Sequence, residues 1–152
     1  MNHALAALLP SLMPAAVAWV EREAEDIVRT GLPLTEAGLS LALRVGVLNP
    51  ERVRLKFVSV IPKPDTPALR QAVELGGFFG PDTAGLTLGY GIYIREGTLS
   101  SRLLSHELRH VHQYEVAGSV ARYIPAYLGQ IVQYGYENSP FEVDARANEI
   151  EV

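Results

Sequence analysis

Cysteine is absent from these 152 residues. That excludes disulfides and every thiolate zinc site, so a metal here must be held by His, Asp or Glu. An excess of positive charge is also absent. Thirteen Lys and Arg stand against seventeen Asp and Glu, for a net charge of −4. Nothing supplies the basic surface that a nucleic-acid partner demands. A long unbroken apolar run is missing too. The first eighteen residues, "MNHALAALLPSLMPAAVA", come nearest. No Lys or Arg precedes that run, and Pro10 and Pro14 interrupt it. An amphipathic stretch continues past Ala16-Val17-Ala18, where a leader peptide would be cut. We therefore expect neither a leader nor a membrane span. The location we expect is cytoplasmic, with non-classical secretion as the alternative. Internal repeats and low-complexity linkers are lacking as well, which points to a single domain over 1–152.

What is present is an ordinary globular composition, 48% hydrophobic and 20% charged. From Gly135 onward the acids Glu137, Glu142, Asp144, Glu149 and Glu151 face one base, Arg146. Such an acidic tail suits cation binding or plain solvation.

Helical spacing of Leu12, Ala16, Trp19, Val20, Ile27 and Val28 predicts a helix over 11–30, stopped by Gly31. A second helix spans 35–46, capped by Thr35. Alternation predicts a strand over 52–61. Thr66 and Pro67 open a short helix that runs to Gly76. "GLTLGYGIYIREG" reads as one strand over 85–97, with Leu86, Leu88, Tyr90, Ile92 and Ile94 on one side. Gly89 and Gly91 leave backbone bare on the other side. Either another element packs close there, or an extended peptide pairs with it. Ser100 or Ser101 caps a helix to about Val116. Another covers 119–134, kinked or split by Pro125. The last begins at "SPFE" and runs to the C-terminus. The order is mostly helical around a small sheet, an α+β fold.

"LLSHELRHVHQYE", residues 103–115, holds three of the four histidines. "HELRH" at 106–110 matches H-E-x-x-H. At 100° per residue, His106 and His110 point within about 40° of each other, one turn apart. Two imidazoles so placed can share one Zn²⁺. Glu107, beside the metal rather than on it, can accept a proton from water. Leu104, Leu108 and Val111 form an opposite apolar face that would seat this helix in the core. His112 lies about 160° from His110 and reads as surface or support. Arg109 is solvated or paired with tail acids, and Gln113 and Tyr114 orient ligands or pack. A catalytic zinc wants a third protein ligand. With no suitable histidine left, Glu142 and Asp144 are the candidates. Glu142 has a second reading, since Ser139-Pro140-Phe141-Glu142 is a capping box in which it would only close its own helix.

Taken together, "GLTLGYGIYI", "LLSHELRHVHQYE" and "GYENSPFEVDARA" resemble the small gluzincin metallopeptidases. The nearest resemblance is to the peptidase domain found near extracellular contractile injection systems and bacterial toxins. It spans about residues 85–147. It implies a zincin-like fold and a zinc peptidase acting on a peptide or protein. His106, His110 and Glu142 would be the ligands and Glu107 the general base. The strand before the zinc helix would bind substrate, which assigns that role to 86–94, with Leu88, Gly89, Tyr90 and Gly91 at its centre. Tyr134 and Tyr136, nearest in sequence to the third ligand, are candidate transition-state donors. The chain departs from the family at one place. The acid that normally stands behind a ligand is here Arg146, which could pair with Glu142. That departure favours an alternative, a zinc-binding regulatory domain without turnover.

Overall fold

A computed structural model describes residues 1–152. Six α-helices and four strands follow one another along the chain. They are α1 (His3–Thr30), β1 (Leu32–Pro33), α2 (Glu36–Arg44), β2 (Arg54–Val58), α3 (Pro67–Gly76), β3 (Gly85–Leu88), β4 (Gly91–Arg95), α4 (Ser101–Ala117), α5 (Val120–Tyr134) and α6 (Pro140–Ala147). A 3₁₀ turn at Pro50–Arg52 precedes β2. The architecture is the mostly helical α+β fold expected, with the H-E-x-x-H motif on α4.

The sheet runs β1-β2-β4-β3. β2 and β4 are parallel; β1 and β3 pair antiparallel on the outside. β4 is therefore an interior strand, and β3 is an edge. Alternation along β4 serves two cores. Ile92 and Ile94 join Val53 and Leu55 against α2 and against Leu104, Leu108 and Val111 of α4. Tyr93 faces the other way, into the cluster built by α1, α3 and α5. Gly91 lies on that second face, beneath α1. A Cβ there would stand 2.7 Å from the Cβ of Ile27. The glycine lets the helix lie directly on the sheet, which is the close-packing reading of that bare backbone.

Four expectations are corrected. Residues 85–97 form a hairpin, not one strand. Gly89, at φ +66°, takes the left-handed turn position. The apparent single apolar side is really two. Leu86 and Leu88 face α1, whereas Ile92 and Ile94 face α4. The first helix starts at His3, well before residue 11, and passes unbroken through Pro10 and Pro14. These prolines are four apart and both lie on the exposed side of the helix. The helix meets the length and composition of a membrane span, with a mean hydropathy of 1.6 over its most apolar window. Its Leu5, Leu9, Trp19, Val20 and Ile27 are packed in the core. Finally, α5 is continuous across Pro125, and α6 stops at Ala147.

Candidate metal centre

Helix α4 is the platform. Ser100 accepts from the Leu103 N–H to start it, and Gly118, in the left-handed region, ends it. Leu108 and Val111 are wholly buried on its inner side, which fixes its rotation. The opposite side carries His106 and His110 toward α6. Their Nε2 atoms lie 3.3 and 3.2 Å from Oε1 and Oε2 of Glu142. Ligand atoms of all three residues fall within 4.8 Å of one another.

Glu142 does not cap its own helix. Ser139 makes no side-chain cap bond and donates instead to the Tyr136 carbonyl. The Glu142 carboxylate is 2% exposed, yet it sits among partners: two imidazoles and the Tyr127 hydroxyl, which donates to Oε2 at 2.7 Å. Such burial of a carboxylate demands this compensation.

Both rings are held from behind. His106 Nδ1 is 2.8 Å from Glu149 Oε2, and His110 Nδ1 is 2.8 Å from Gln113 Oε1. The Gln113 amide nitrogen donates to the Phe141 carbonyl and to Asp144, so its oxygen is the atom facing His110. Tyr123 donates to the same oxygen. A carboxylate and an amide oxygen accept only, which puts a proton on both Nδ1 atoms. Both Nε2 atoms then point at the common centre. Two imidazole Nε2 atoms and one carboxylate, backed in this way, are a nitrogen–oxygen donor set that fits zinc.

Burial opposes a charged His106, but its bonds to Glu142 and Glu149 and the charge of Glu107 outweigh that, lifting its pKa to about 9. The same contest raises His110, where Glu142 again overcomes burial. Burial would raise the Glu142 carboxyl, but the two imidazoles hold it well below the ordinary range.

Glu107 faces the sheet edge. Thr87 of β3 places its hydroxyl 2.8 Å from Glu107 Oε1. Gly85 lies flush against the same side chain, so a Cβ at that position would come within 3.0 Å of Glu107 Cγ. Two hollows meet here. One is an open cleft lined by His106, Glu107 and Arg102; the other is a more recessed apolar pocket reaching back toward α1. Glu107 and Tyr136 line both.

The remaining sequence candidates divide. Asp144 pairs with Arg109 through both guanidinium contacts, at 2.8 and 3.2 Å, and is no alternative to Glu142. Arg146 donates to the Glu137 carbonyl and does not pair with Glu142. The acid that stands behind a ligand is Glu149, three residues on. Tyr136 reaches the site; Tyr134 is 54% exposed and lines neither hollow. His112 bonds the Gly46 carbonyl, and His3 opens α1. Gly91 belongs to the interior strand, where both edges are taken, so no peptide can be added there. Tyr90 donates to Glu115, away from the site. Leu88 closes β3, and Gly89 is the turn. Of the stretch 86–94, only β3 is an edge strand, and its buried Thr87 already gives its carbonyl to the Tyr114 hydroxyl.

Sequence reasoning missed Tyr127, Thr87 and Glu149. Tyr123 and Tyr127, four apart on α5, stack at 5.6 Å and mark one helix face, which was the available signal for the first. Thr87 and Glu149 gave none, because both depend on long-range register. No family model, curated protein or solved structure matches the chain.

Proposed function

We propose that this chain is a zinc-dependent peptidase. The observation that carries the reading is the convergence of His106, His110 and Glu142 with Glu107 alongside. The resemblance to small gluzincins supports it. His106 and His110 would hold the metal through Nε2, and Glu142 through a carboxylate oxygen. When bound, zinc supplies Lewis acidity to water and to the scissile carbonyl. The protein's own groups do the rest. Glu107, oriented by Thr87, accepts a proton from the attacking water and returns it to the leaving amine as the C–N bond breaks. Tyr136, whose hydroxyl is kept protonated by burial and two nearby carboxylates, donates to the developing oxyanion. The outer edge of β3 at Gly85, where it lines the open cleft, takes the substrate backbone as an added strand.

The alternative, a zinc-binding module without turnover, drew part of its support from Arg146. Its guanidinium is turned to Glu137, and Glu149 stands behind His106. The test is Glu107→Gln. Elemental analysis should find zinc still bound at one per chain, while cleavage of an unfolded protein falls by roughly 100- to 10,000-fold. Undiminished cleavage, or a wild type that takes up no zinc, overturns the proposal.

A further inference from the structure

Three tyrosines stand stacked between α4 and α5, and the reaction as derived above uses none of them. Tyr114 comes from α4, Tyr123 and Tyr127 from α5. Ring centroids of Tyr114 and Tyr123 are 3.7 Å apart, and those of Tyr123 and Tyr127 are 5.6 Å apart. Phe141, the residue before Glu142 on α6, stacks on Tyr123 at 5.0 Å.

Packing accounts for the rings but not for the hydroxyls. Phenylalanine fills the same space without burying an oxygen, and a buried hydroxyl costs stability unless it is bonded. Each hydroxyl here is bonded, and each leads to a different member of the site. Tyr127 donates at 2.7 Å to Oε2 of Glu142, itself a candidate ligand. Tyr123 donates at 3.2 Å to Gln113 Oε1, the atom that faces His110 Nδ1. Tyr114 donates at 3.4 Å to the Thr87 carbonyl, and the hydroxyl of that threonine meets Glu107 Oε1 at 2.8 Å.

From this geometry we infer that the three tyrosines are positioning residues, one stacked column that holds Glu142, His110 and Glu107 in a fixed mutual arrangement. This rests on the peptidase reading above. A tyrosine has only two side-chain torsions, and a ring packed face to face with its neighbours cannot turn singly. A tip bonded toward one site residue is thereby tied to the other two. The chemistry needs such a reference, since a misplacement of about 1 Å costs about 100-fold in rate. The bonds are unequal, so the roles are unequal. The Tyr127 bond is short and ends on a charged ligand. Tyr123 acts one step removed, through a neutral amide. Tyr114 touches the support of the base and no ligand.

Tyr114→Phe, Tyr123→Phe and Tyr127→Phe each remove one oxygen and keep the ring, so circular dichroism should be unchanged. Competition against a chromogenic chelator should find zinc affinity lower by about 10- to 100-fold in Tyr127→Phe. In Tyr123→Phe the loss should be about 3- to 10-fold, the worth of one neutral hydrogen bond. Tyr114→Phe should bind zinc within about twofold of wild type, because it supports no ligand. Loaded with zinc, it should lose about 3- to 10-fold in kcat with KM unchanged, because only the base is displaced. Should Tyr123→Phe fail to fold, Tyr127→Phe, whose ring borders the apolar pocket, carries the metal arm alone. Wild-type zinc affinity in Tyr127→Phe, an equal loss of affinity in all three variants, or an unchanged kcat in Tyr114→Phe overturns the column and leaves the peptidase standing. Graded zinc losses with no cleavage by the wild type overturn the peptidase and leave the column as the support of the metal ligands.

Discussion

On the proposed reading, zinc uptake must expel protons, and they come from His106 and His110. In the metal-free protein His106 titrates at about 9, against an ordinary 6.5, and His110 is raised as well. At pH 7 a group with a pKa of 9 is protonated in about 99 of 100 molecules. Coordination requires both imidazoles neutral, so binding at pH 7 releases one proton from His106 and up to one from His110. Apparent affinity should therefore strengthen at least about 10-fold per pH unit from 7 upward, and the His106 part of that slope should end near 9. Competition against a chromogenic chelator across pH 6–10 measures the slope. Calorimetry in buffers of different ionisation enthalpy counts the protons. The same charges stabilise the metal-free fold. A rise from 6.5 to about 9 is worth roughly 3 kcal/mol. That stabilisation is complete below pH 6.5 and is lost as pH climbs through 9, because the folded state binds the proton more tightly than the unfolded chain. An affinity flat between pH 7 and 9, with no protons released, would refute the imidazole–carboxylate cluster.

Glu149→Ala should weaken zinc binding by about 10- to 100-fold, read by the same competition, since His106 loses the acceptor that fixes its ring. Arg146→Ala should leave zinc affinity within about twofold, because its guanidinium reaches the Glu137 carbonyl and not Glu142. A tenfold loss there would place Arg146 in the metal site after all.

The histidine helix was legible because its signals are local. A serine cap, an apolar face of three residues and two imidazoles one turn apart need nothing beyond the segment itself. Glu142 was half-legible, since its S-x-x-E context supports both a cap and a ligand, and only the approach of α4 to α6 decides. The hairpin was hidden by parity. A two-residue turn leaves the alternation of apolar positions intact in sequence while it flips which face they occupy. Pro10 and Pro14 read as breaks because sequence alone does not show that both fall on the exposed side of a helix packed through Leu5, Leu9, Trp19, Val20 and Ile27. The exchange of Arg146 for Glu149 was illegible. It depends on the tail folding back so that Ile150 N–H donates to Ser105 Oγ, a contact spanning 45 residues.

Gly85 ties two distant positions into one evolutionary unit. Even a Cβ there would stand 3.0 Å from Glu107 Cγ and make the side chain that bonds Thr87 give by a few tenths of an ångström, so on the proposed reading the glycine drifts most freely once the base no longer matters. Among descendants of this sequence, position 85 should therefore record whether the chemistry is still under selection. Lineages that have traded it for another residue should be those in which Glu107 has been replaced as well, even where both histidines survive.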